Sequence, residues 1–311
     1  MAAALEVKKR GIDDILILER EDSLGGILIQ CIHTGFGLQV FKQELTGPEY
    51  AWRYIDMIAK AGIVCMTGTT VLSISPDRMV EAISTQDGHL RIRAGAVILA
   101  MGCRERTRGA LNIPGTRPSG IITAGTAQKF VNIYGYMPGK KFVILGSGDI
   151  GLIMARRLTL EGAEVKMVCE IMPKPGGLTR NVVQCLYDFD IPLKLRHTVI
   201  RIHGGERLEG VTVAEVDDEL KTVQGSEEFV ECDTLLLSVG LIPENELTRA
   251  AGILMDPATD GPATDKGMAT SMPGVFACGN VVRVHDLVDN VTRQGELAGR
   301  TAAAWIRDNS K

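Results

Sequence analysis

The chain has 311 residues, 45% of them apolar and 5% aromatic, with a formal net charge of −4; the length suits two domains, and the charge gives no reason to expect nucleic acid or an anionic membrane as a partner. The longest apolar stretches, such as AVILAMG and TLLLSVG, have strand length, well short of the ~18 residues of a spanning helix, and there is no signal peptide, so membrane insertion is not expected. Seven cysteines (31, 65, 103, 169, 185, 232, 278), odd in number and without a C-x-x-C pair, argue against a disulfide framework or a zinc site and for a reducing cytoplasm.

The opening, MAAALEVKKRGIDDILILE, reads as a helix over residues 1–11 that stops at Gly11, then a buried strand from Ile15 to Leu18 ending on Glu19. Gly25-Gly26 follow, and then Cys31 and His33. Residues 63–93 are β-rich, with a turn at Asp87-Gly88. Ala96 to Ala100 form an apolar strand closed by Gly102, and residues 108–120, RGALNIPGTRPSG, read as a hinge.

The clearest motif lies mid-chain. Phe142 to Leu145 form a strand, Gly146, Gly148 and Gly151 supply G-x-G-x-x-G, a helix runs to about Gly162, and the strand Val165 to Cys169 ends at Glu170. Such a fingerprint between strand and helix, with an acid at the right distance, is a strong signal for a dinucleotide. The first glycine makes the turn, the second lets backbone approach a pyrophosphate, and the third lets helix and strand pack closely. The helix N-terminus attracts the anion, and Glu170 is placed to accept from a ribose 2′-hydroxyl. Because a 2′-phosphate would meet that acid, and only Lys174 lies near it, NAD(H) is expected over NADP(H).

Residues 198–231 are again β-rich, with turns at Gly204-Gly205 and Gly225, and Thr234 to Val239 is a strand closed by Gly240. Residues 255–267 read as a second hinge. Val275 to Cys278, the turn Gly279-Asn280 and a helix from about Val291 to Ile306 complete the chain. Laid without gaps against residues 152–170, residues 1–19 share the order helix, glycine, strand, acid, with Gly11 on Gly162 and Glu19 on Glu170. A second glycine fingerprint would then end just ahead of Met1. The chain is therefore expected to be N-terminally truncated, without its first strand and phosphate loop, and to be marginally stable as written.

The series Glu19, Gly25-Gly26, VILAMG, GSGDIG, LLLSVGLIPEN and GVFACGN resembles the pyridine nucleotide–disulfide oxidoreductase superfamily, in a thioredoxin-reductase-like layout. GGILIQCIHTGFGL, TAGTAQKFVNIYGYMPGKK and MPKPGGLTRN further resemble bacterial flavoproteins related to hydrogen cyanide synthase and opine oxidase subunits. The resemblance implies an α/β fold of two Rossmann-like dinucleotide-binding domains, each in three layers (ββα). The FAD domain would be residues 1–117 and 249–311, and the NAD(P) domain, residues 118–248, would be inserted into it. FAD would be held by Glu19, Gly25, Gly26, Val71, Gly102, Gly279 and Asn280, and NAD by Gly146, Gly148, Asp149, Ile150, Gly151, Glu170 and Gly240. No metal is implied. With Cys31 alone after GGILIQ the redox disulfide is missing, so disulfide reduction is not expected.

The implied activity is hydride transfer between NAD(P)H and flavin, with electrons passed to a partner subunit or a small acceptor. A flavoprotein subunit of an amino-acid or opine dehydrogenase and a flavin-free nucleotide-binding chain are the alternatives. Cys31, His33 and His285 are weak catalytic candidates: for Cys31 a packed thiol stands against a proton relay, and for His285 an ion pair with Asp286 stands against acid–base work.

Overall fold

The computed structural model describes residues 1–309 and opens on helix α1 (Ala2–Lys9), whose last turn places Lys8 and Lys9 at the negative end of the helix. Gly11 takes φ +83°, a left-handed turn that releases the chain toward strand β1 (Leu16–Leu18). Helix α2 (Gly47–Lys60) starts from a capping box: Glu49 N–H donates to the Thr46 hydroxyl, and Thr46 N–H donates to the Glu49 carboxylate. Strand β2 (Val64–Met66) lies parallel to β1, with Leu16 opposite Val64 and Leu18 opposite Met66. The β-rich stretch 63–93 is therefore divided. Its first strand joins a parallel pair, and β3 (Thr69–Ile74), β4 (Met79–Ser84) and β5 (Gly88–Arg93) form an antiparallel meander. Strand β6 (Val97–Leu99) follows.

The chain then enters the compact unit Glu105–Leu241. Its elements are β7 (Ile121–Thr123), α3 (Ala124–Lys129), β8 (Lys141–Leu145), α4 (Asp149–Leu160), β9 (Glu164–Glu170), α5 (Thr179–Cys185) and β10 (Leu193–Leu195), then β11 (His197–Gly204), β12 (Leu208–Glu215), β13 (Glu228–Glu231) and β14 (Thr234–Leu237). Five parallel strands stand in the order β7-β14-β8-β9-β10. The chain leaves β8 through α4 to β9 on one side, while β14 flanks the other. The carboxyl end of β8 is thus the topological switch point, where open α/β sheets bind ligands.

Strand alternation builds the layers of this unit. Phe142 and Ile144 face the helices and pack with Leu152, Leu158 and Val182, while Val143 and Leu145 face the meander β11-β12-β13 and pack with Val199, Val211 and Val230. Phe142, Leu152 and Leu158 are each 0% exposed, and burying such a side chain contributes roughly 1.5–3 kcal/mol.

The other unit, Met1–Arg104 with Ile242–Lys311, is completed by β15 (Val275–Ala277), parallel to β6, and by α6 (Val288–Asn309). Its layers repeat the pattern. Val275 and Ala277 pack with Val80 of the meander, while Phe276 packs with Ala298 and Ala302 of α6. α1 crosses α6 closely because Gly299 has no side chain; a Cβ there would lie 2.4 Å from the Ala3 carbonyl oxygen. Buried Asn245 ties this unit's return segment together, donating to the Asp260 and Val281 carbonyls at 3.0 and 2.9 Å and accepting from Thr248 Oγ1 at 2.8 Å. The fold is the expected α/β arrangement of two units, one inserted in the chain of the other.

The chain changes unit at Arg104/Glu105 and Leu241/Ile242, ahead of the changeovers at 117/118 and 248/249 expected from sequence. The first Pro/Gly-rich stretch is part of the inserted unit's core. Ile113 is 8% exposed, and Ile202 N–H donates to the Pro114 carbonyl at 2.9 Å. The second, residues 255–267, is a packed turn within the other unit, where a Cβ on Gly261 would lie 1.8 Å from Val282 O. Neither is a hinge between units. Among the described residues no helix is long and apolar enough to cross a membrane.

Candidate functional site

In the inserted unit β8 delivers the chain into the glycine loop, and the three glycines do different work. Gly146 takes φ +97°, and a Cβ there would lie 2.1 Å from Ser238 O. A Cβ on Gly151 would lie 2.8 Å from Ser238 Cβ and Oγ and 2.9 Å from Gly146 O. These two let β8, α4 and the turn after β14 close on one another. Gly148 has φ −64°, which any residue adopts, and the nearest atoms to its virtual Cβ are 3.7 Å away. Its open side is the cradle a phosphate would fill. Helix α4 begins beyond it without a side-chain cap, which leaves the amides of Asp149, Ile150 and Gly151 at an anion-attracting end.

Glu170 ends β9, the neighbour of β8, and is 8% exposed. Its Oε2 accepts from Ser147 N at 3.0 Å and Ser147 Oγ at 2.5 Å, and its Oε1 accepts from Met172 N at 2.9 Å. The Asp149 carboxylate turns away from the helix end, accepting from Leu178 N at 2.8 Å and Asn181 Nδ2 at 2.7 Å. Gly240 follows β14 at the same sheet edge with φ +102°. The structure thus gathers Gly146, Gly148, Asp149, Ile150, Gly151, Glu170 and Gly240 at one carboxyl edge. Sequence reasoning missed Ser147, the first of the fingerprint's three variable positions.

In the other unit Glu19 stands at the end of β1, half-buried, with Oε1 accepting from Glu21 N at 2.9 Å. Burial pushes the pKa of the Met1 amino group down, against the opposing influence of Cys278, Cys65 and Glu19. Gly25 (φ +116°) and Gly26 (φ +55°) make the left-handed step into the turn Gly26–Gln30. Val71 lies on β3, packed against the core that includes Val80 and Leu99. Gly102 (φ +76°) accepts from Glu244 N at 3.0 Å.

Gly279 and Asn280 close β15. Gly279 N–H donates to Gln294 Oε1 at 2.8 Å. Asn280 accepts from His285 N at 3.0 Å, and its Nδ2 donates to Cys103 Sγ at 3.5 Å. His285 Nε2 reaches Gln294 Oε1 at 3.1 Å, a pairing that places the proton on Nε2. The imidazole's partner is thus an amide on α6. Gln294 was not anticipated, since its contact with Gly279 spans fifteen residues and no local spacing encodes it. Arg283, His285, Asn290, Arg293, Gln294 and Leu297 line an open surface hollow of about 330 Å³.

The Cys31 thiol is buried and donates to Ile27 O at 3.3 Å, and burial pushes it up to about 11. His33 is half-buried, its Nδ1 3.1 Å from Thr34 O and its ring centroid 5.0 Å from that of Phe36. At pH 8 only ~0.1% of the Cys31 thiol is ionised. Iodoacetamide is therefore expected to alkylate it at least ~100-fold more slowly in the native than in the unfolded protein, read by mass spectrometry of its peptide. Rapid native labelling would restore it as a reactive group. Cys169 and Cys232 are likewise buried and pushed up to about 12, and Cys278 to about 11. No disulfide joins any of the cysteines, and among the described residues no cluster of His, Cys, Asp or Glu could hold a metal.

Known proteins share this architecture. The family model described as pyridine nucleotide-disulphide oxidoreductase matches residues 1–295. An opine oxidase subunit from Agrobacterium tumefaciens (strain Ach5) is 23% identical over 322 residues, covering 97% of this chain and 62% of its own length. The ferredoxin reductase component of chlorobenzene dioxygenase from Cupriavidus sp. (strain PS12) is 29% identical over 234 residues, covering 72% of this chain and 52% of its own length. The chain thus spans between half and two thirds of the curated relatives it matches. Among solved structures, T. acidophilum thioredoxin reductase has a TM-score of 0.75 at 24% identity, covering 99% of this chain and 94% of that one, a likeness of fold.

Proposed function

Because the chain belongs to the pyridine nucleotide-disulphide oxidoreductase family, whose members are oxidoreductases that bind FAD and NAD(P), we propose that it works as an NADH-dependent flavoprotein. The unit Met1–Arg104 with Ile242–Lys311 takes FAD, and Glu105–Leu241 takes the nicotinamide nucleotide. The observation that carries this reading is the glycine loop at the switch point of a five-stranded parallel sheet, open at Gly148 and flanked by Glu170. When bound, the two cofactors supply hydride exchange between nicotinamide and flavin.

The chain's own residues bind and orient. The α4 amides and Gly148 hold the pyrophosphate, and Glu170 meets the adenosine ribose. A carboxylate 8% exposed disfavours a 2′-phosphate, so NADH is taken in preference to NADPH. In the FAD unit Glu19 meets the ribose, the left-handed steps at Gly25-Gly26 and Gly102 keep backbone close, and Val71 lies beside the adenine. Gly279, Asn280 and Gln294 shape the turn toward the ribitol and pyrophosphate. The lack of any C-x-x-C pair in the sequence favours a separate acceptor for the electrons. By name, one relative is a component of a larger system and another is one of several subunits, which favours a partner protein as that acceptor. The thiol-rich, disulfide-free chain suits the cytoplasm.

A second reading is that of an amine-oxidising flavoprotein subunit in which the inserted unit is scaffold. It is favoured by the likeness to the opine oxidase protein and by the engagement of both Glu170 oxygens within the chain. The visible spectrum of the purified protein, before and after anaerobic NADH, separates the readings. Flavin absorption that bleaches with NADH, and more slowly with NADPH, is the expected result. Absorption that ignores NADH but bleaches with an opine or amino acid selects the second reading. A colourless protein that cannot be loaded with FAD overturns both.

A further inference from the structure

The segment after β9 lies across the glycine loop and is bonded to it. Gly176 N–H donates to Ser147 Oγ, Gly177 N–H to Ser147 O and Leu178 N–H to Asp149 Oδ1, each at 2.8 Å. The Ser147 hydroxyl donates in turn to Glu170 Oε2 at 2.5 Å, so one side chain, itself 0% exposed, joins loop, acid and strap. Gly177 seats there because it has no side chain. A Cβ would meet Leu152 Cδ1 at 2.7 Å, Asp149 Oδ1 at 2.8 Å and Ser147 O at 3.0 Å. A Cβ on Gly176 would have no neighbour nearer than 3.8 Å.

The strap and a dinucleotide draw on the same groups. Glu170 has one oxygen on Ser147 and the other on Met172 N, the first amide of the strap, while a ribose needs that carboxylate as its acceptor. We propose that Ser147 latches the segment Met172–Leu178 onto the phosphate loop, and that nicotinamide nucleotide engages the inserted unit only when the latch opens. The proposal rests on the reading of this unit as the nucleotide site. Each latch bond is exchanged for water on opening, so the closed state is an equilibrium that a ligand preferring the open state can shift.

Hydrogen exchange by mass spectrometry and calorimetric titration with NADH and with NADPH test this on the full chain. In the parent, residues 176–178 are expected to be protected without nucleotide and to lose protection when NADH binds, while the glycine loop gains it. Gly177→Ala, which pushes the strap off, and Ser147→Ala, which removes the latch hydroxyl, should exchange rapidly at 176–178 without ligand. Both should bind NADH about tenfold more tightly, because the closed population no longer reduces the apparent affinity. Gly176→Ala should match the parent. NADH binding with protection at 176–178 kept or raised, or unchanged or weakened affinity in both variants, overturns the latch alone. Failure of the parent and both variants to bind either nucleotide, with exchange unaltered across the glycine loop, overturns the latch together with the nucleotide reading.

Discussion

Gly148→Ala is expected to weaken NADH binding about 100-fold while shifting the melting temperature by no more than about a degree. The separation follows from local geometry. The residue has φ −64°, and an added methyl would find its nearest neighbour at 3.7 Å, so the protein itself has no reason to object. The space the methyl fills is the approach to the amides of α4, where a pyrophosphate needs backbone contact. Calorimetric titration beside a thermal melt measures the two effects on the same sample. Unimpaired binding would remove the nucleotide from this loop.

Two residues earlier the same substitution should do the opposite. Gly146→Ala places a Cβ 2.1 Å from Ser238 O in a residue held at φ +97°. Relief requires β14 and β8 to part where Ser238 N–H donates to Leu145 O at 2.7 Å. Overlap against backbone together with left-handed strain is expected to cost about 3 kcal/mol or more, a large part of the ~5–15 kcal/mol that holds a domain together. Urea denaturation followed by circular dichroism should show the loss as a lower midpoint at unchanged slope. A midpoint equal to that of Gly148→Ala would show that the close approach at Ser238 relaxes freely. One fingerprint thus carries two kinds of glycine, which only the environment of each Cβ tells apart.

The strand–loop–helix–strand around Gly146 to Glu170 was legible because each part has a strict local signature: an unbroken apolar run, glycine spacing, and an acid at a fixed remove. Ser147 was not legible, because its partners are set by how β8 and β9 lie side by side, and no spacing encodes that. The strap was hidden for a similar reason, since PKPGGL has the composition of any surface turn and only the missing Cβ of Gly177 reveals what it touches. The stretch 108–120 misled in the other direction. Its prolines and glycines read as a linker, yet Ile113 is buried and Pro114 and Thr116 bond to Ile202. Strand β7 escaped notice because three residues, Ile121 to Thr123, are too few for a periodic pattern and are held by pairing with β14. Gln294 belongs with Ser147: its role is a contact across the fold.

The two units also differ in when they can exist. Glu105–Leu241 is one continuous stretch, so its five-stranded sheet can assemble as soon as β14 leaves the ribosome. The other unit must wait. β6 pairs with β15, Leu99 opposite Ala277, and α1 packs against α6, which is made later still. At ~5–20 residues per second of synthesis, roughly 10 to 35 s separate the emergence of β6 from that of its partner strand. For that interval the nascent chain carries a finished inserted domain on an unfinished host, with an apolar strand edge in need of a chaperone's cover.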